Sequence, residues 1–380
     1  MQDSLFEVRR PLVNGTRVKQ ARELSGLTQA GLADAIGVDQ TMVAHIERGT
    51  KQPTTDLLEA LGEILDLPSE FFRQNQPIEM SRGSLLFRSK AVVGKRVISQ
   101  AYEYSRLAVE LAVRLTAYAK LMPVRIPQYS DPIEAARELR NTLELPPGPI
   151  ANAVRSVERL GVLVIPLPDI RDCDAFATWT GSQVSLPIIG LAANRPVDRL
   201  RLSVAHELGH LALHRSLHVA SKENEEEAYS FAAEFLMPTV DIYPELAAEK
   251  ISLFRLAELK KKWRVSMQAL LRRARELSVV NDRQYRYAMM QISQRGWRTE
   301  EPSFDTSVER PRAMRKLSEV AFGGEETWER LATEFYLSST LVRSILSACE
   351  SSPHNLPQKV PERTMDAKCK VVSFSRSSKG

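Results

Sequence analysis

The residues with the clearest chemical potential are Ala205-His206-Glu207-Leu208-Gly209-His210, an H-E-x-x-H run in a chain with six histidines, four of them between His206 and His218. On a helix, residues four apart share a face, so the imidazoles of His206 and His210 can meet one zinc ion. Glu207 stands beside them, where a carboxylate can take a proton from water at the metal. The competing reading is a helix that carries satisfied surface histidines. A tetrahedral catalytic zinc needs a third protein ligand and one open position. Glu225, Glu226 and Glu227 offer that ligand on the next helix, expected over Glu225–Leu236. Only Glu225 is in phase with Ala228 and Ala232, whose small side chains let the two helices approach. Glu226 and Glu227 are expected to face solvent or complement the helix dipole. Glu234 is a fourth candidate, nearly three turns further on. His214 continues the histidine stripe about 6 Å beyond His210. It is expected to pack or to support the site without joining the tetrahedron, with His218 at the surface.

These groups need a frame. An amphipathic helix over Pro132–Thr142, the turn Leu145–Pro149 and a further helix through Leu160 precede Gly161–Pro166, an apolar, β-branched strand. Asp174–Trp179 and Gln183–Leu191 read as two more strands. The motif helix then runs from about Arg199 to His214.

Residues 16–71 read as short helices over Thr16–Ser25, Gln29–Ala35, Gln40–Arg48 and Thr55–Leu65. Gly26 breaks the first, Thr28 caps the second, Gly37 turns the chain, Asp39 caps the third and Gly49 ends it. Val18 and Ala21 are expected inside, with Arg17, Lys19 and Arg22 exposed. Such a helix–turn–helix sets its third helix in the major groove, with the N-terminal residues of that helix toward base edges. Residues 1–72 hold seven Lys or Arg against eleven Asp or Glu. The expected positive docking face is therefore confined to Arg9, Arg10, Arg17, Lys19, Arg22, Arg48 and Lys51. Strong salt dependence and a homodimer are expected, since one small module supplies little specificity. A helix–turn–helix kept only for protein contacts is the alternative.

The order GLTQAGLADAIGVDQTMVAHIERG resembles the lambda-repressor/Cro-type family, also called XRE, over about the first seventy residues. The resemblance implies a double-stranded DNA operator. It makes Gln40, Thr41 and His45 base-contacting candidates and Gln29 and Arg48 phosphate positioners, with Val43 and Ile46 in the core. The span Ile133–Pro238 resembles the ImmA/IrrE metallopeptidase family, through PGPIANAVRSVERLGVLVIPL, RLSVAHELGHLALH and EEEAYSFAAEFLMP. That likeness implies a compact gluzincin-type protease with Zn2+ on His206, His210 and Glu225, and with Glu207 as catalytic base. It also implies a regulatory protein as substrate in a bacterial stress or mobile-element response.

The chain has 380 residues, 43% of them hydrophobic, enough for two or three domains. Cys173, Cys349 and Cys369 lack C-x-x-C spacing, which argues against a disulfide framework or a cysteine zinc site and for a reducing cytoplasm. MQDSLFEVRRPLVNG has no apolar h-region, and no stretch is long enough to span a bilayer, so neither export nor a membrane is expected. Residues 73–130 are rich in Lys and Arg, which fits either a polyanion partner or a solvated helical face. Leu259, Trp263, Val265, Ser266 and Leu270 fall in register with Leu32, Ile36, Val38, Asp39 and Val43. Another copy runs over Leu331–Ser338, completed by Val342 and Ile345. Arg272, Arg273, Arg275, Arg283, Arg286, Arg295 and Arg298 keep a DNA reading open for the middle unit, against the reading of plain packing corners.

The expected architecture is mostly α with a small β-sheet (α+β). It comprises a five-helix lambda-repressor-like DNA-binding domain over 1–75, a basic helical connector over 76–130, a gluzincin-like minimal metallopeptidase domain over 131–258, a C-terminal helical region over 259–350 and a polar tail over 351–380 expected to be disordered. The expected function is a DNA-binding regulator carrying a zinc endopeptidase that cleaves a regulatory protein or itself. A transcription factor with a non-catalytic zinc sensor and an antitoxin-like partner-binding regulator are the alternatives. An intact Glu207 favours the first, because a pure sensor needs no base beside its metal.

Overall fold

Alternating caps and breakers divide the N-terminal chain into α1 (Gly15–Leu24), α2 (Gln29–Ile36), α3 (Gln40–Glu47) and α4 (Thr55–Leu65). The computed structural model describes residues 12–79, 95–119, 122–167, 175–180, 186–192, 195–214, 221–302, 308–323 and 327–347; the tail expected to be disordered lies outside them. Asn14, Thr28 and Thr54 each accept a backbone N–H from the first turn they cap. Gly37 has φ 72° and ends α2 in the left-handed region, where a Cβ would be strained. The fifth helix is a short 3-10 turn, Ser69–Arg73, that buries Phe71 and Phe72.

Two expected surface arginines are inside. Arg17 is 2% exposed and Arg22 7%. Arg17 donates to both carboxylate oxygens of Glu110, to Gln20 and to the Asn75 carbonyl. Arg22 grips Glu47 and the Leu27 carbonyl. The docking face therefore keeps Lys19, Arg48 and Lys51; Arg9 and Arg10 lie outside the described residues.

Glu110 belongs to α5 (Lys95–Leu115), the connector expected to be a basic bridge. Tyr102, Leu107, Ala108, Val109, Leu111, Ala112 and Leu115 are buried, so α5 is core and not a solvated strut. Two of its arginines are engaged: Arg106 pairs with Glu103 at 2.8 Å, and Arg114 lies 4.4 Å from the Phe335 ring centre and donates to Gln74.

After α6 (Pro132–Thr142) and α7 (Ala153–Arg159) come β1 (Leu163–Leu167), β2 (Ala175–Thr180) and β3 (Leu186–Ala192). The sheet order is β1-β3-β2, with β1 parallel and β2 antiparallel to β3. Side chains alternate between faces. Leu163, Ile165, Leu167 and Ile188 join the core that holds the N-terminal helices and α5. Val164, Ile189 and Leu191 join the core that holds the histidine motif. Phe176 lies across its partner Gly190, where a Cβ would stand 2.0 Å from the ring.

The remaining helices are α8 (Val197–Leu213), α9 (Lys222–Leu236), α10 (Thr239–Ala247), α11 (Leu253–Trp263), α12 (Met267–Glu276), α13 (Asp282–Gln294), α14 (Ala313–Phe322), α15 (Thr327–Phe335) and α16 (Ser339–Ser347). The region expected as one C-terminal unit divides between the two cores. Leu259, Trp263, Leu270 and Ile292 pack with the motif helix, whereas Met314, Leu331, Phe335 and Val342 pack with the N-terminal helices. Two carboxylates, Glu309 buried and Glu158 half-buried, fasten the crossing. Glu309 accepts the N–H groups of Ala153 and Val154 and pairs with Arg201 of α8, while Glu158 accepts those of Arg312 and Ala313.

Candidate metal centre and DNA-reading helix

Gly209 explains how two helices come close enough to share a site. A Cβ there would lie 3.0 Å from the Phe231 ring and 3.2 Å from the Ala228 backbone. With no Cβ at 209, and with Ala228 and Ala232 fully buried, α9 presses on α8. That approach sets Glu225 over the histidines. Its carboxylate oxygens lie 3.3 Å from His206 Nε2 and 3.2 Å from His210 Nε2. The two Nε2 atoms are 3.0 Å apart, and the three ligand atoms lie within 4.8 Å of one another. Zn–N and Zn–O bonds of about 2.0–2.2 Å suit donors at such separations, and two imidazoles with one carboxylate are a zinc donor set. The residues fit the ion. Glu207 is buried next to them in the chain.

The other acidic candidates go elsewhere. Glu226 lies 3.7 Å from Lys222 and faces solvent, as expected. Glu234 is buried between Arg137, Arg273 and Thr239. Burial pushes its carboxyl up, but the hydrogen bonds from Thr239 and Arg137 and the charge of Arg273 outweigh it and hold the carboxyl below its ordinary value. Glu234 is thus an ion-pair hub.

Glu227 departs from expectation. Its Oε2 lies 2.7 Å from His214 Nε2, and His214 Nδ1 lies 3.1 Å from His210 Nδ1. Counting turns along α9 alone missed this contact, because His214 at the end of α8 stands beside Glu227. His218 lies outside the described residues.

In the N-terminal helices, Gln40, Thr41 and Arg48 are exposed at α3 and its C-cap. His45 is half-buried, with Nδ1 2.9 Å from the Thr50 hydroxyl. Val43 and Ile46 are core. Gln29 donates its amide to Glu47 at 2.7 Å, so that amide braces the Arg22–Glu47 pair. Asp39 precedes α3 with no side-chain capping bond among the described residues.

The two later corners share the backbone of the first. Arg264 (φ 55°) and Tyr336 (φ 53°) stand where Gly37 does, each two residues before a serine cap. In the middle corner, Glu301 accepts the N–H groups of Met267 and Gln268 and also pairs with Lys260. Arg272 lies 3.3 Å from the centre of the Tyr229 ring, Arg273 pairs with Glu234, and Arg275 with Asp282. Of the seven arginines that kept a DNA reading open for this corner, Arg272, Arg273 and Arg275 are thus engaged within the protein, whereas Arg283 and Arg298 are exposed.

An IrrE N-terminal-like domain model matches residues 157–275, and a helix-turn-helix model matches residues 18–72. The first match runs through α12, so it includes the middle corner. An HTH-type transcriptional regulator of Bacillus subtilis (strain 168), YazB, is 30% identical over 56 residues, which is 15% of this chain and 81% of that protein. The apo form of the competence regulator ComR from Streptococcus vestibularis aligns over 82% of this chain and 98% of its own at 11% identity, with a TM-score of 0.15, a likeness that carries no structural argument. Among the described residues, no helix is long and apolar enough to cross a membrane.

Proposed function

Because this chain belongs to the XRE-type helix–turn–helix transcriptional regulators that carry an IrrE-like metallopeptidase domain, we propose that it is a cytoplasmic, operator-binding regulator that hydrolyses a peptide bond in a regulatory protein. The observation that carries this reading is the convergence of His206 Nε2, His210 Nε2 and both Glu225 oxygens within 3.0–3.3 Å. His206, His210 and Glu225 would hold zinc. When bound, the metal supplies a Lewis acid that polarises a carbonyl and acidifies water. Glu207 acts as the general base, taking the proton of the attacking water and returning it to the leaving amine. Gln40, Thr41 and His45 read base edges of double-stranded DNA, with Gln29 and Arg48 toward phosphates. Two copies on two half-sites supply the specificity that one module lacks.

Glu207→Gln tests the peptidase. Zinc content and operator binding should match the wild type, while cleavage of co-expressed regulatory proteins is lost. Cleavage at the wild-type rate would sink the assignment.

A sensor without turnover is the second reading. It is favoured by one observation: the N-terminal helices and one face of the sheet share a hydrophobic core, while Glu309 ties the segment ahead of α14 to Arg201 on the motif helix. Metal occupancy would then bias the reader through packing. Zinc-dependent release of operator that survives Glu207→Gln supports this reading over hydrolysis.

A further inference from the structure

His214 and Glu227 are not among the three grouped ligands, yet they form one hydrogen-bonded line with His210. The line runs from His210 Nδ1 to His214 Nδ1 at 3.1 Å and from His214 Nε2 to Glu227 Oε2 at 2.7 Å. An ionised carboxylate only accepts, so His214 Nε2 carries a proton. A metal on His210 Nε2 needs that nitrogen bare, which places the His210 proton on Nδ1. From there it is donated across 3.1 Å to His214 Nδ1, and His214 Nε2 donates in turn to Glu227. The line thus matches, atom for atom, the tautomer that a metal requires.

We infer that Glu227 and His214 are positioning residues that hold His210 in its metal-ready tautomer and orientation. The His214 side chain is 7% exposed and that of Glu227 45%, so the line starts beside the site and ends at solvent. Truncating Glu227 removes the acceptor of a buried imidazole N–H. His214 can then turn its ring or change tautomer, and His210 Nε2 loses its fixed aim. This inference rests on the zinc reading above, and the test separates the two.

The test is zinc affinity of the full-length protein, measured by chelator competition for wild type, Glu227→Ala, Glu227→Gln and His214→Phe. Each variant is paired with the melting temperature of the metal-free form and the ligand-field spectrum of the cobalt-substituted form. Glu227→Ala and His214→Phe should bind zinc about 10–100-fold more weakly with an altered cobalt spectrum. Glu227→Gln, whose amide oxygen still accepts from His214, should keep most of the affinity. Zinc affinities of Glu227→Ala and His214→Phe within about twofold of wild type would overturn the inference, even if the metal-free proteins melt earlier, and would leave the zinc reading standing. A wild-type chain that binds no zinc overturns both.

Discussion

The helix–turn–helix over α2 and α3 and the corner over α11 and α12 share a left-handed turn residue, a following valine and a capping position, yet they present opposite ends to their surroundings. Gln40 and Thr41 at the start of α3 are exposed, and Asp39 leaves the first-turn N–H groups without a side-chain cap among the described residues. At the start of α12, Ser266 and Glu301 take up the N–H groups of Ala269, Met267 and Gln268. Local geometry therefore builds the corner in both places, and what covers the second helix decides whether it can read DNA. The first corner is open to a polyanion. The second is sealed by the protein's own carboxylate.

Breaking that seal should have the largest effect. Glu301→Ala removes one carboxylate from the buried Lys260, which also pairs with Asp198, and leaves the N–H groups of Met267 and Gln268 without that acceptor. A loss on the order of 3–5 kcal/mol is expected for removing one partner of a buried ion pair. Denaturant unfolding measures it. If the variant stayed folded and gained operator affinity, the contrast between the corners would collapse.

A second carboxylate seal responds to pH. Burial raises the Glu158 carboxyl to about 7 against the bonds from Ala313 and Arg312 and the charges of Lys316 and Arg155. The folded state thus holds this proton more tightly than the unfolded chain, whose value is near 4.5. Its contribution to stability is complete below about 4.5 and is lost as pH rises through about 7. Glu158→Gln keeps an acceptor and removes the charge. It should flatten the pH–stability curve over that window and exceed the wild type at pH ~8 by up to about 3 kcal/mol. An unchanged slope contradicts the cause given.

Thr41→Ala should weaken operator binding by about 1–3 kcal/mol with little change in melting temperature, whereas Gln268→Ala at the matching position of the middle corner should leave DNA affinity unaltered. Equal losses would erase the distinction. The smallest effect is expected from Arg48→Ala, which should weaken binding alike on all sequences and lower the salt slope by about one.

What could be read in the sequence was whatever one element decides by itself. The H-E-x-x-H spacing, the phase of Glu225 with Ala228 and Ala232, and the strands within a few residues of their ends all follow from a single helix or strand period. What escaped lies between elements. Arg17 and Arg22 looked exposed because their partners, Glu110 and Glu47, stand 93 and 25 residues away. Glu227 looked solvated because its partner ends a different helix. The C-terminal region looked like one unit because nothing in its local pattern marks that α14 to α16 return to the N-terminal core.

Zinc per chain in Glu225→Ala and Glu226→Ala tests the two-histidine, one-glutamate centre most directly. Both lose one carboxylate from the same run, but of the two only Glu225 lies against His206 and His210. One zinc per chain is expected in the wild type and in Glu226→Ala, and a large loss in Glu225→Ala. Full zinc occupancy in Glu225→Ala, or loss in both variants alike, would contradict the centre described.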